Sequence, residues 1–315
     1  MLPNLAKLNA STDSSAEDII TLNFDGDLDE RMNDYLNENP VPLNLLTKRN
    51  NHIHEIKTLG MNFWTMMRDS AFTFGELKNG SYNRTATVPD SFRVSHDDEV
   101  AWKTLYGERF GQTKLIARQG AQPGEEKENF KSACIHIFGD IHGIGPRIFA
   151  AGQIKKNYEL HQFVVAEQLD KTVTYFFRGW FKNNRSASEF VKEKYDSFLA
   201  IDELFRRAAS IGFIHGDGHA SNIMLRTDNT GHTDAFFIDL DEEFMFVDSR
   251  AAEARHCIYV AQLAIFIAQV ASFTSRSAAL REPLVQFFFD LPGSWLRLFF
   301  TSGLLEPCKI SLEKH

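Results

Sequence analysis

The sequence predicts an α+β chain, with a strand-rich first part followed by a larger helix-rich second part. Three observations predict it. Between residues 71 and 170, short apolar runs alternate with turns rich in glycine, asparagine and aspartate. From Ala187 to Ile211, Phe190, Val191, Tyr195, Phe198, Leu199, Ile201, Leu204 and Phe205 recur at helical spacing, and Gly212 closes the run. Between these helical residues and those after Asp241 lies a hairpin pattern. Its apolar runs, Ile223-Met224-Leu225 and Ala235-Phe236-Phe237-Ile238, are separated by a polar loop from Arg226 to Asp234.

A chain of 315 residues can bury one large core or divide into two lobes. With 43% apolar residues and a net charge of −8 it reads as globular, and the acidic balance argues against broad binding to nucleic acid or to anionic membranes. Cys134, Cys257 and Cys308 are far apart, odd in number and lack metal-ligand spacing, which reads as free thiols in a reducing compartment. The longest apolar run, Ile258 to Ala271, is interrupted by Gln262 and Gln269 and is too short to span a bilayer, so it is expected as a buried helix.

In chain order, residues 1–25 are polar and expected as a flexible tail without a secretory signal. Residues 26–70 are expected as a helical extension, with Leu28, Met32, Tyr35 and Leu36 on one helical face and Pro40 and Pro42 as breakers. The stretch from Ala71 to Val88 reads as strand, glycine-bearing turn and strand, with Gly75, Gly80 and Ser81 at the turn. Strands are expected at 91–94 and 114–118, then a helix from Glu126 to Ile141, and a strand from Gln162 that ends at Glu167-Gln168-Leu169-Asp170.

The stretch that carries chemistry is His215-Gly216-Asp217-Gly218-His219-Ala220-Ser221-Asn222, followed one hairpin later by Asp239-Leu240-Asp241. A carboxylate, an amide five residues on, and a second carboxylate after a hairpin can hold a hydroxyl and a hard cation side by side. This pattern resembles the catalytic loop and metal-binding strand of the protein-kinase-like superfamily, in the branch of aminoglycoside phosphotransferases and choline kinases. Sugar and lipopolysaccharide kinases and several bacterial effector kinases share that branch.

The resemblance implies a two-lobed fold, with a β-rich N-lobe over residues 71–170 and a helical C-lobe over 171–315. It implies ATP and Mg²⁺ as cofactors and a hydroxyl-bearing acceptor. Asp217 would be the base, and Asn222 and Asp239 the metal ligands. His215 and His219 would hold the loop in shape. Gly75, Gly80 and Ser81 would approach the phosphates. The pattern departs from the family where the phosphate-binding lysine is expected: Arg93 is the expected cation, with Lys114 and Arg118 as rivals, and Glu128 is the expected partner. Gly143-Ile144-Gly145-Pro146-Arg147-Ile148-Phe149 resembles the turn before the family's fourth strand. Glu167 to Leu169 resembles its adenine-binding hinge.

Three function classes follow. The first is a phosphotransferase of effector type acting on a protein or lipid, cytoplasmic or exported into a host cell without a classical signal peptide; a small-molecule kinase is its variant. The second is a catalytically dead kinase fold that serves as a binding module. The third is an Fe(II) facial triad of His215, Asp217 and His256. Transfer of AMP in place of phosphate is a further chemistry this kind of fold can host.

Overall fold

The structure, a computed structural model, describes residues 19–21, 78–79, 83–87, 115–120, 124–125, 132, 135–136, 138–140, 142–156, 159–182, 186–240, 244–246, 249, 251–272 and 277–301. The helical extension expected over 26–70 lies outside them. The described residues mix helix and sheet, and they form two compact units. The first holds those up to Asp140 together with Arg147–Gln168, and the second those of Ile141–Pro146 and from Leu169 on.

The first unit is built on one antiparallel sheet of six strands in the order β1-β5-β6-β4-β3-β2. These strands are β1 (Ile19–Thr21), β2 (Lys78–Asn79), β3 (Asn83–Thr87), β4 (Leu115–Gly120), β5 (Ile148–Lys156) and β6 (Glu159–Glu167). β2, β3 and β4 neighbour one another in sequence order, as do β5 and β6, but β4 pairs with β6 and not with β5, and β1 and β2 lie at opposite edges. Ser132, Ile135, His136 and Phe138–Asp140 are helical and, except Asp140, buried. One feature departs from the expected tail: Ile19–Thr21 pair with the edge of β5, Ile20 opposite Ile154. Two β-branched residues and a threonine suit an edge strand despite their polar neighbours.

The second unit contains a three-stranded sheet, β10-β9-β7, a two-stranded sheet, β11-β8, and helices. Its strands are β7 (Lys171–Thr172), β8 (Phe213–His215), β9 (Ile223–Thr227), β10 (Thr233–Phe237) and β11 (Phe244–Phe246). Its helices are α1 (Val173–Lys182), α2 (Ala187–Glu193), α3 (Tyr195–Ser210), α4 (Ala252–Ser272), α5 (Arg281–Asp290) and α6 (Trp295–Thr301), with a 3₁₀ turn at Ser277–Leu280.

The helix expected from Ala187 to Ile211 divides into α2 and α3 at Lys194, whose φ of −102° and ψ of 24° leave the α region. The apolar spacing carries across the break, so periodicity alone does not reveal it. What the sequence does mark is the start, where Ser186 and Glu189 form a reciprocal capping box. The expectation of helix directly after Asp241 also gives way, because Phe244–Phe246 pair with β8. Three residues are too few to show a period of two.

The core of this unit is a column of phenylalanine rings. Phe177 of α1 meets Phe190, Phe198 and Phe266 at 5.7, 6.3 and 6.5 Å between centroids. Phe205 continues from Phe266 to Phe237, and Phe237 lies 5.0 Å from the ring of His215. Each ring is at most 3% exposed, so about 1.5–3 kcal/mol of burial per side chain stands behind the strand that ends at His215. The expectation of free thiols fails at Cys257, which is disulfide-bonded. Spacing along the chain does not report which cysteines meet in the fold. Among the described residues no helix is long and apolar enough to cross a membrane.

Candidate functional site

The loop from Gly216 to Ser221 leaves β8 and returns into β9, and backbone bonds fix its ends. Phe213 and His215 point two polar groups away from β11, toward Gln262 in the middle of α4. Gln262 Nε2 donates to the carbonyl of Phe213 at 3.2 Å, and its Oε1 accepts from the His215 amide at 3.4 Å. Gln262 is 2% exposed. Its amide thus takes the place a further strand would take on the open edge of β8. At the far end, Ile238 donates its amide to the carbonyl of Asn222 at 2.9 Å, which brings the residue before Asp239 against Asn222. Phe237 donates to Ile144 at 2.7 Å, so the Gly143–Pro146 turn braces the same strand. Gly143 has a φ of +63°, which a side chain would resist.

His215 is committed on both nitrogens. Its Nε2 donates to the carbonyl of Ile238 at 3.0 Å, and its Nδ1 accepts the amide of Asp217 at 3.2 Å. Since an amide can only donate, the ring is neutral with its proton on Nε2. Burial holds its pKa below the ordinary 6.5, against the opposing pull of the Ile238 carbonyl and of the Asp217 and Asp239 charges. His215 therefore ties the start of the loop to the end of the hairpin.

Asp217 and Asn222 are in direct contact. Asn222 Nδ2 donates to both the backbone carbonyl of Asp217, at 3.1 Å, and its Oδ2, at 3.0 Å. Asn222 is 8% exposed, and among the described residues its Oδ1 has no partner. His219 accepts the Ser221 amide on Nδ1 at 3.1 Å, which turns its Nε2 toward Asp217 Oδ2 at 3.4 Å. Both neighbours thus address one carboxylate oxygen, and Oδ1 is left to solvent on a side chain 48% exposed. A carboxylate fixed by one oxygen and open at the other is arranged to receive a hydroxyl.

Asp239 follows the hairpin with a φ of +60°, and it is the non-glycine residue with positive φ among those described. Left-handed backbone costs about 1–2 kcal/mol and marks functional positions when the surroundings enforce it. Here the enforcing contacts are the Ile238–Asn222 and Ile238–His215 bonds. The hairpin is pinned further by Arg226 and Asp234, directly opposed across β9 and β10 with their charges 2.7 Å apart. Burial is the largest influence on Asp234 and pushes it up, yet the hydrogen bond and charge of Arg226 hold its carboxyl below the usual range.

The facial triad of His215, Asp217 and His256 fails on geometry. His215 has no nitrogen left for a metal, and His256 bonds the Ala252 carbonyl on Nδ1 while its ring packs on Trp295 at 4.8 Å. Among the described residues no group of three or more His, Cys, Asp or Glu side chains forms a metal site.

In the first unit, Glu167 ends β6 nearly buried. Its amide donates to the Arg147 carbonyl and its Oε1 accepts the Arg147 amide, at 2.9 and 3.1 Å. Its side chain therefore clamps the start of β5. Leu169, two residues on, is buried. Arg118, on β4, donates Nη1 to Nε2 of buried His136 at 3.2 Å, and His136 donates Nδ1 to the Ser132 carbonyl. His136 was not singled out in the sequence. The signal that would have found it is a histidine on the buried face of the helix after β4. Gly75, Gly80, Ser81, Arg93, Lys114 and Glu128 lie outside the described residues, so only Arg118 of the three rival cations has a described setting.

No family model matches the chain, and no curated protein matches it. Among solved structures, it is similar to WaaP in complex with acyl carrier protein, at 17% identity and a TM-score of 0.38. That similarity covers 79% of this chain and 92% of the other. At that score the likeness fixes neither fold nor activity.

Proposed function

We propose that the chain is a protein-kinase-like phosphotransferase that moves the γ-phosphoryl group of ATP to a hydroxyl, with Mg²⁺, and that its acceptor is a protein or a lipid. The observation that carries this reading is that Asn222 bonds both the Asp217 carboxylate and the backbone of the residue before Asp239. Its amide nitrogen fixes Asp217, and its carbonyl accepts from the residue before Asp239. Phosphoryl transfer asks the protein mainly for positioning and charge neutralisation. Asp217 Oδ1 orients the acceptor hydroxyl and takes its proton as the new O–P bond forms. His219 and Asn222 keep Oδ2 occupied, so the base presents a single oxygen.

The donor set fits a hard cation. Asn222 spends its amide nitrogen on Asp217, and its Oδ1 and the Asp239 carboxylate are the oxygen ligands we assign to the cation. Mg²⁺ held there would neutralise charge on the transferring phosphate. Glu167 to Leu169 is the stretch we assign to the adenine edge. The Glu167 amide is taken by Arg147, so we assign the donors and acceptors for the base to the residues that follow it. Arg118 is the cation we assign to the phosphates. Bacterial effector kinases are the branch this reading favours. The second histidine of the loop, placed beside Asp217, favours a small-molecule acceptor as the second reading.

The test is thermal unfolding with and without Mg²⁺–ATP, on the wild type and on Asp239→Asn. Asparagine tolerates the left-handed backbone, so the variant isolates the charge. A ligand that binds only the folded state raises its stability, by about 2.7 kcal/mol at a hundred times its Kd. The expected result is an upward shift in the wild type that the variant loses. No shift in the wild type would refute nucleotide binding. A shift with no transfer to any acceptor would make the chain a binding module.

A further inference from the structure

We infer that the exposed face of α1 docks the protein onto an anionic phospholipid surface, beside the loop that carries Asp217. The net charge of −8 hides a local reversal: from Lys171 to Lys194 there are six lysines or arginines against two glutamates. On α1 itself, Val173, Phe177 and Trp180 form the buried face. Tyr175 is 58% exposed, and Lys171 and Arg178 are exposed on the same side. Lys171 Nζ sits 5.1 Å from the centre of the Tyr175 ring, and Lys194 Nζ 5.4 Å from that of Phe176. Among the described residues Arg178 has no hydrogen-bond or ion-pair partner.

An aromatic ring flanked by cations on flexible stems is the chemistry of a membrane interface. The ring settles at headgroup depth, and the cations reach the phosphates. The charges stand on the outside of a helix, which suits a fluid array of identical headgroups better than one shaped ligand. The position gives the face a consequence. Thr174, at the start of α1, donates its amide to the Ala220 carbonyl at 3.0 Å, and its hydroxyl bonds that of Ser221 at 2.8 Å. A surface held by Lys171, Tyr175 and Arg178 therefore lies against the catalytic loop. On the phosphotransferase reading, from which this consequence alone follows, the acceptor hydroxyl belongs to a lipid headgroup.

The experiment is co-sedimentation of the full chain with phosphatidylcholine vesicles, with and without about a third phosphatidylserine, at low and high salt and without nucleotide. The expected result is binding to the anionic vesicles only, lost at high salt. The double variant Lys171→Gln/Arg178→Gln should bind about twenty-five-fold more weakly, at about fivefold per cation removed, and Tyr175→Ser should also bind more weakly. Lys171→Arg/Arg178→Lys keeps the charges and should bind as the wild type, which separates charge from any fault in folding. Equal binding to neutral vesicles, or a double variant that binds anionic vesicles as well as the wild type, would overturn the inference. So would a protein that ignores vesicles and binds soluble polyglutamate. Because no nucleotide is present, a failure of Mg²⁺–ATP binding leaves this outcome standing, and the reverse holds too.

Discussion

Gln262→Met isolates the amide that holds the open edge of β8. Methionine is close to glutamine in length and volume, so the cavity left in the core is small. What the substitution removes is the pair of bonds to the Phe213 carbonyl and the His215 amide, both buried. A buried backbone group left unsatisfied costs about 1–3 kcal/mol, and bonds of 3.2 and 3.4 Å are long enough to place each loss at the low end. The two together give about 2–3 kcal/mol. Urea unfolding should show a lower midpoint with an unchanged slope, because the folded state buries the same surface. Ala264→Met, on the exposed side of the same helix, is the control and should stay within about 0.5 kcal/mol of the wild type. A similarly small effect for Gln262→Met would refute the claim that this amide holds the strand. The same variant should also lower transfer more than nucleotide binding, since β8 positions the loop and not the nucleotide.

Asp217→Asn should abolish transfer and leave the Mg²⁺–ATP thermal shift in place; retained transfer to any acceptor would remove Asp217 as the base. Tyr259 donates its hydroxyl to Asp202, which is 3% exposed and also bonds Arg206 Nε at 2.6 Å. Tyr259→Phe should destabilise by about 1.5–3 kcal/mol, the range for hydrogen bonds to a charged group. Asp202→Ala should destabilise more, because it removes both bonds at once and leaves the buried Tyr259 hydroxyl without that acceptor; urea unfolding of both variants gives the order. For His215 the folded pKa lies below the ordinary 6.5, so the unfolded chain binds more protons between the two values. Its contribution to stability is thus complete above about pH 6.5 and is lost as pH falls toward the folded pKa. Unfolding free energies measured from pH 7.5 to 5 should fall in the wild type and fall less in His215→Asn. Parallel curves would show that another group sets the acid limb.

How much of this was legible in the sequence depended on whether the chemistry was local. Asp217 and Asn222 share one loop, and the hairpin that returns to Asp239 is announced by two apolar runs and a polar turn, so the Asp217–Asn222 contact and the bond from Ile238 to Asn222 follow from local patterns. Arg118 and His136 are eighteen residues apart and meet only because a strand and a helix pack. The sequence left three cations in competition and named Glu128 as their partner. Gln262 is the instructive case. In the sequence it is a polar interruption of an apolar run, useful only for arguing that the run does not cross a membrane. In the fold it is the residue that ties α4 to the strand ending in His215. The signal was present: an amide in the middle of a buried helix must find partners for both its nitrogen and its oxygen. A strand with an open edge supplies both at once, since the carbonyl of one residue and the amide two residues on point the same way. Which strand it would be depends on the chain folding back across the 47-residue separation of His215 and Gln262, and no pattern within either segment encodes that return.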